Sequence, residues 1–261
     1  MAEAISDKQV VAVLRPFVRA AGPMVDALRE ADPFGLIAAP EQTAVEPTLR
    51  KKLIDGLRSV KVPGTNGWAA MDVSERTSWW INRVGRVTSL LTAVPGLGGA
   101  LADTLPVQDT LGTASQGLLL CAIAGEHGVT DVGERVQLLG WVLFEREIDP
   151  ELAVGKYAGY DRAAEDAETE KLTEELTDSA GKRSKITVRT VARTLWRLGR
   201  SLLAVTDELE KRPSGRFYHA ALGMLPVVGM LGDYLGERSG LKRVAKRADE
   251  WFARDVSTAR T

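Results

Sequence analysis

Three runs without a charged side chain constrain the fold of this chain more than any other feature. They cover residues 87–102, 110–125 and 217–232, so each run is 16 residues long. A helix that crosses a bilayer needs about 20 apolar residues, and shorter runs are typical of core helices, re-entrant hairpins or interfacial segments. Each run also contains glycine or proline, as in Pro95-Gly96-Leu97-Gly98-Gly99 and at Pro226. This combination predicts broken helices that pack closely.

Helical periodicity dominates the remaining sequence, and strand-like alternation is scarce. We expect a first helix from Ser6 or Asp7 that is kinked at Pro16 and interrupted at Gly22-Pro23. Further helices are predicted from Asp72 or Ser74 to Val94, from Asp103, from Thr130 or Asp131, from Thr187 to about Arg212, and from Leu241 to Val256. The predicted fold class is therefore all-α, with helical hairpins from the three apolar runs packed against amphipathic helices.

The distribution of charge divides the second half of the chain. Residues 161–178 hold eight acidic and two basic side chains, whereas residues 182–200 hold seven basic side chains and no acidic one. We predict N-terminal helices and a connector in residues 1–62, followed by a helical domain in residues 63–261. Within that domain, the charged insertion around residues 157–185 is expected to protrude or to be mobile, because its acidic half has few large apolar side chains.

Bulk composition favours a cytoplasmic protein. With 34 basic and 35 acidic side chains, the net charge is −1 and gives no overall attraction to nucleic acid or anionic lipid. Cys121 has no partner for an intrachain disulfide, which fits a reducing compartment. The first residues are acidic and lack the apolar stretch of a signal peptide. A peripheral position on the inner face of the cell membrane is left open.

The chain carries no recognisable catalytic or metal-binding pattern. Its two histidines, His127 and His219, are not spaced as metal ligands, and no Gly-x-Ser-x-Gly motif occurs. Gly96-Leu97-Gly98-Gly99 lacks the spacing of a dinucleotide-binding loop, and Cys121 is typical of a small apolar filler. We therefore predict no catalytic residue, no metal and no cofactor, and the sequence favours a protein without enzymatic activity.

Three aspartates at the borders of the apolar runs, Asp103, Asp109 and Asp233, are the candidate functional carboxylates. An ionised group beside a dry surface is costly, so its placement often reflects function. A structural role is nevertheless favoured, in which Asp103 caps a helix and the other two mark where the chain returns to water.

The basic helix predicted from residue 187 has three interpretations. Its arginines contact anionic lipid, contact nucleic-acid phosphates, or pair with the acidic segment while the helix packs in the core. The adjacent tryptophans of the earlier helix are either an interfacial anchor or core residues. The candidate membrane or partner contacts are Trp79, Trp80, Leu97, Leu118, Leu119, Arg189, Arg193, Arg197, Arg200, Leu225 and Val228. The expected partner is a membrane surface or a membrane protein; a homo-oligomer is left open, and nucleic acid is not favoured.

Three short patches of the chain resemble the EcsC family of bacterial proteins. The first joins Pro95-Gly96-Leu97 and Asp103-Thr104-Leu105-Pro106 to the ending Ile123-Ala124-Gly125-Glu126-His127-Gly128. The second is Arg135-Val136-Gln137-Leu138-Leu139, and the third is Leu225-Pro226-Val227-Val228-Gly229. The chain departs from the family pattern at His127, where an aromatic residue is usual, and at Asp233, where a small residue or Asn is usual. The resemblance covers roughly residues 83–142 and 221–251.

The resemblance implies a helical protein on the cytoplasmic side of a membrane, since the founding EcsC member is linked to an ABC transporter. We expect a membrane-associated accessory factor to a transporter or membrane complex. The alternative is a soluble helical scaffold or homo-oligomeric interaction protein whose apolar runs form the core or the subunit contact. A third possibility is a helical enzyme with an apolar ligand in a pocket lined by Asp103, Asp109 or His127, although the sequence assigns it no reaction.

Overall fold

The computed structural model describes residues 5–29, 63, 66–92, 107–176, 188–210 and 230–258. Within these residues the chain forms nine α-helices and no strand, which confirms the predicted all-α class. The helices are α1 (Asp7–Arg29), α2 (Asn66–Ala69), α3 (Val73–Thr92), α4 (Val107–Glu126), α5 (Val132–Phe144), α6 (Pro150–Ala153), α7 (Arg162–Thr173), α8 (Val188–Glu210) and α9 (Met230–Thr258). A 3-10 turn, Glu174–Leu176, continues α7.

Helix α4 lies at the centre of the core. It packs against α1, α3, α5, α8 and α9, and every described side chain from residue 110 to 124 is buried. Residues 110–125 of this helix carry no charge on any side, and a helix without a charged face is stable when neighbours surround it, which explains this central position. The second charge-free run is thus a core helix, and it is continuous up to Glu126, close to the break predicted at Gly125–Gly128. The glycines of α4 are tolerated because contacts with five neighbouring helices outweigh their low helix propensity.

Glycine allows the closest approaches of α4 to its neighbours. A Cβ at Gly199 of α8 would collide with the backbone carbonyl oxygen of Thr110. A Cβ at Gly117 would lie 2.5 Å from the ring of Phe17 in α1. These contacts confirm that the helices pack closely, as the small residues predict.

Helix α1 is continuous from Asp7 to Arg29, although it contains Pro16 and Pro23. The predicted interruption at Gly22-Pro23 is therefore wrong. Each internal proline removes a backbone hydrogen bond and costs about 3 kcal/mol. This cost is offset because one face of α1, including Leu14, Phe17 and Met24, is completely buried against α4, α5, α7 and α8.

The acidic half of the charged insertion is part of the packed fold. Helix α7 lies against α1, and Leu172 and Leu176 are buried, as is the carboxylate-bearing Glu165. The expectation that this half protrudes or is mobile is therefore wrong for residues 157–176. The physical reason is that a buried ion pair between Glu165 and Arg15 holds α7 against α1, although α7 has few apolar side chains to bury.

Several predicted features lie outside the described residues. They include the domain boundary at residue 62, most of the first and third charge-free runs, and the candidates Leu97, Asp103, Leu225 and Val228. The backbones of Arg189 and Asp233 are described as parts of α8 and α9, but their side chains are not. Helix α1 belongs to the same hydrophobic core as the helices that follow it.

Candidate functional site

One end of the helix bundle gathers arginine and tryptophan side chains around a buried carboxylate. Helices α1 and α4 end here, and the first half of α3 contributes four residues at positions i, i+3, i+4 and i+7, which lie on one helix face. We call this group the Trp–Arg cluster, and its members are Trp68, Trp79, Trp80, Arg29, Arg76, Arg83 and Glu126.

Glu126 is the centre of the Trp–Arg cluster. Only 6 % of its side chain is exposed. The indole Nε1 of Trp80 donates a hydrogen bond of 3.1 Å to its Oε1 atom. Arg29 Nη2 lies 3.4 Å from the same oxygen, and Arg76 Nη1 lies 3.5 Å from Oε2. The carboxylate is thus held by one well-formed hydrogen bond and two long ion pairs.

The tryptophan rings form an edge-to-face series that the arginines cover. Ring centroids are 4.9 Å apart for Trp68 and Trp79 and 5.0 Å apart for Trp79 and Trp80. Each ring has its own guanidinium within 6 Å of the centroid: Arg76 over Trp68, Arg83 over Trp79, and Arg29 over Trp80. Such cation–π contacts contribute about 0.5–1 kcal/mol each at partly exposed positions.

The Trp–Arg cluster is cationic. Its three guanidinium groups and one carboxylate give a formal charge of +2. The carboxyl ends of α1 and α4 each add roughly −0.5 through the helix macrodipole. Arg83 Nε donates to the carbonyl oxygen of Leu28 at 3.0 Å and so caps the end of α1. Counting these groups alone, about one positive charge is left, which favours an anion over a cation beside them.

A second buried carboxylate, Glu165 of α7, has tightly bound partners. Arg15 Nε lies 2.5 Å and Arg19 Nη1 2.8 Å from its oxygens, and the Tyr160 hydroxyl donates to it at 3.1 Å. Arg15 Nη1 also donates to the carbonyl oxygen of Ala153 at 2.6 Å. Because each of these groups already has close partners, this ion network is suited to fastening α7 to α1 rather than to binding a ligand.

The arginines of α8 pair with the acidic segment. Arg193 lies 3.3 Å from Glu175, and Arg197 lies 3.0 Å from Glu174. The apolar face of α8 is buried in the core. Of the three interpretations of this helix, the packed helix with intramolecular ion pairs is the one observed. Arg200 is exposed.

Three of the predicted membrane or partner contacts lie in the core. Trp80, Leu118 and Leu119 are buried, so a surface role for their side chains is wrong in this structure. For Leu118 and Leu119 the physical reason is that an apolar run alone does not distinguish a core helix from an interfacial one. Trp79 is half-buried, at the outer side of the Trp–Arg cluster.

The remaining candidates with described side chains do not converge on one site. Asp109 is exposed in the first turn of α4. His127 stacks on Phe252 of α9 with a centroid distance of 3.8 Å. Burial lowers the pKa of His127, and the nearby Asp249 and Glu126 only partly oppose that shift. Cys121 is buried, as expected for an apolar filler.

Sequence reasoning missed the most organised part of the site. Arg76, Trp80 and Arg83 were visible as neighbours on one helix face, but Arg29 and Glu126 are 97 residues apart in sequence. The only available signal was that both stand at predicted helix ends, which does not indicate that those ends meet.

The described residues contain no group of His, Cys, Asp or Glu arranged to hold a metal ion. Of the helices that the structure describes, none is both long enough and apolar enough to cross a membrane. No family model, no curated protein and no solved structure matches this chain. Its resemblance to the EcsC family therefore stays a prediction.

Proposed function

We propose that this protein is a helical interaction protein, a scaffold whose second apolar run is its structural core. The observation that supports this proposal is the burial of α4 between five other helices. Lipid contact by α4 would require those helices to separate. Their separation would cost about 25 cal/mol of folding free energy for each Å² of apolar surface that becomes exposed to water. The binding surface would then be an outer face of the bundle.

Peripheral attachment to a membrane, as in an accessory factor to a membrane transporter or complex, is our second candidate. It is favoured by the half-buried Trp79 beside Arg83 and by the exposed Arg200. Tryptophan and arginine are typical of membrane interfaces. Because Arg193 and Arg197 are already paired with carboxylates, such attachment would rely on few charges and would be sensitive to salt.

Fractionation of the natively expressed protein distinguishes these candidates. The membrane pellet is washed first in high salt and then in alkaline carbonate. For a scaffold, we expect recovery in the detergent-free supernatant as a monodisperse species. Release by salt alone would support the peripheral candidate instead. Resistance to both washes would contradict both proposals, because it would mean that apolar segments are embedded in lipid.

A further inference from the structure

The two arginine clusters of this protein hold their guanidinium groups in different ways. Arg15 is tightly bound, with contacts of 2.5 Å to Glu165 and 2.6 Å to the carbonyl oxygen of Ala153. Arg29 and Arg76 approach Glu126 only to 3.4 and 3.5 Å. Charge-assisted hydrogen bonds are usually about 2.7–2.9 Å long. Arg29 and Arg76 are therefore loosely coordinated by Glu126, in contrast to Arg15 in the ion network around Glu165.

Unused hydrogen-bond donors are present in the Trp–Arg cluster. The Nε atoms of Arg29 and Arg76 are buried, and neither has a hydrogen-bond partner within the described part of the chain. A buried guanidinium N–H without an acceptor is costly, so two of them beside one carboxylate indicate that the described residues lack an acceptor at this place. An oxyanion supplies several acceptor atoms at once, and its charge is opposite to that of Arg29 and Arg76.

Glu126 restricts which oxyanion fits. Its Oε1 atom accepts from Trp80 and Arg29, whereas Oε2 has only the 3.5 Å contact with Arg76 and accepts no hydrogen bond from the described residues. A carboxylate repels an anion that has lost all its protons. It accepts a hydrogen bond, however, from an anion that retains one.

We propose that Arg29, Arg76 and Glu126 form a binding site for hydrogen phosphate or for a phosphomonoester that retains one proton. The two guanidinium groups donate to phosphoryl oxygens, and the P–OH group donates to Oε2 of Glu126. Sulfate has a similar shape and charge, but it carries no proton at neutral pH, so Glu126 rejects it. The site is independent of whether the protein acts as a scaffold or at a membrane.

The test is a titration of the purified full-length chain with inorganic phosphate, followed by tryptophan fluorescence, since Trp80 contacts both Glu126 and Arg29. Sulfate at matched ionic strength is the comparison. We expect a saturable response to phosphate and at least about tenfold weaker binding of sulfate. Equal responses to the two anions, or no saturable response, would overturn the proposal.

Variants locate the site. Arg76→Gln is expected to weaken phosphate binding by about tenfold or more, because it removes a charged donor. Arg254→Gln is the matched control, since Arg254 pairs with Glu147 on the surface beside Trp141. An equal loss in both variants would contradict the assignment. Glu126→Gln provides a test that does not depend on lost binding: the amide can donate to an anion, so sulfate affinity should rise towards that of phosphate.

A second arm identifies the source of the phosphoryl group. Vesicles of phosphatidylcholine with phosphatidate are compared with phosphatidylcholine alone near pH 6, where a monoester is partly protonated. Binding to phosphatidate that inorganic phosphate displaces and that Arg76→Gln abolishes would support the site and assign it to a lipid headgroup. A phosphate response without vesicle binding supports a free anion. If neither probe binds, the proposal is wrong.

Discussion

Glu165 is the residue through which the acidic helix α7 is fastened to α1. Burial by itself raises the pKa of this carboxyl, but hydrogen bonds from Arg15, Arg19 and Tyr160 outweigh that effect, so the pKa is lowered overall. Arg15 and Arg19 have raised pKa values for the reciprocal reason: burial lowers them, and the contacts with Glu165 more than compensate. The charged form of the whole network is therefore the stable one in the folded protein.

We predict that Glu165→Gln lowers the free energy of unfolding by about 3 kcal/mol at pH 7, because it leaves the buried Arg15 without its counter-charge. Urea denaturation checks this value. Glu168→Gln is the control, since Glu168 lies on the same helix and makes only a surface pair with Lys171. Its effect should stay within about 0.5 kcal/mol. Equal losses in the two variants would show that Glu165 has no special structural role.

Because Glu165 is ionised in the folded protein, we predict that the free energy of unfolding depends on pH. Because the pKa of Glu165 is lower in the folded chain than its ordinary value of 4.5, its contribution is fully present above pH 4.5. The contribution is lost as the pH falls through the folded-state pKa. The stability difference between the wild type and Glu165→Gln should therefore shrink below pH 4.5. A constant difference across that range would contradict the ion-pair account.

Glu145, which follows α5, has φ of 54°, a left-handed conformation that favours glycine. We predict that Glu145→Gly raises the free energy of unfolding by about 0.5–1 kcal/mol, because relief of backbone strain exceeds the loss of a surface pair with Arg247. Glu147→Gly is the matched control: Glu147 also pairs with an arginine but lacks a positive φ, so its replacement should be destabilising. Thermal unfolding of both variants measures the difference.

At the scale of elements, the crossing of α4 and α8 depends on Gly199. A side chain there would collide with the backbone carbonyl oxygen of Thr110, which is part of a helix and unable to rotate away. We predict that Gly199→Ala lowers the free energy of unfolding by about 2 kcal/mol, despite the higher helix propensity of alanine. The midpoint of urea unfolding at unchanged m-value is the measurement.

Gly240→Ala in α9 is the control for this prediction. A Cβ at Gly240 would meet only Gln116 Nε2, at an ordinary contact distance of 3.8 Å, so helix propensity is the main change. The variant should gain about 0.5–1 kcal/mol. If Gly199→Ala were also stabilising, the close approach of α4 and α8 would not exist in solution.

Helices with strong local signals could be predicted from the sequence. The start of α5 follows from Asp131, whose side chain accepts a hydrogen bond from the backbone N–H of Glu134 as the N-cap. Helix α8 was expected from Thr187 to about Arg212 and is observed from Val188 to Glu210, because its apolar stripe is long and regular. Helix α9 is predicted to begin at Leu241, but it begins at Met230 in the structure.

The features that could not be predicted depend on distant partners. The prolines of α1 signal an interruption locally, and only burial of Phe17 and Met24 keeps the helix continuous. The acidic sequence of α7 is typical of a solvated segment. Its packing depends on the contact between Glu165 and Arg15, which are 150 residues apart in sequence. The Trp–Arg cluster likewise forms only when the ends of α1 and α4 meet. Sequence periodicity and spacing therefore do not indicate which residues belong to it.

At the scale of the whole molecule, α4 determines the architecture. It is the helix that contacts α1, α3, α5, α8 and α9, and it places Glu126 at one end of the bundle. The central claim is therefore that the second charge-free run lies inside a folded helical core rather than in lipid. The single cysteine of the chain, Cys121, stands within this run and provides a direct probe of it.

Burial raises the pKa of Cys121 to about 12, and the charge of Arg135 offsets this only in part. The thiolate is the reactive form, so the buried thiol should be inert. The decisive measurement is the rate of alkylation by iodoacetamide at pH 8 in detergent-free protein, with and without lipid vesicles. We expect negligible alkylation in either case until urea unfolds the chain. Rapid alkylation without vesicles, and protection only when they are added, would contradict the claim that α4 is the core.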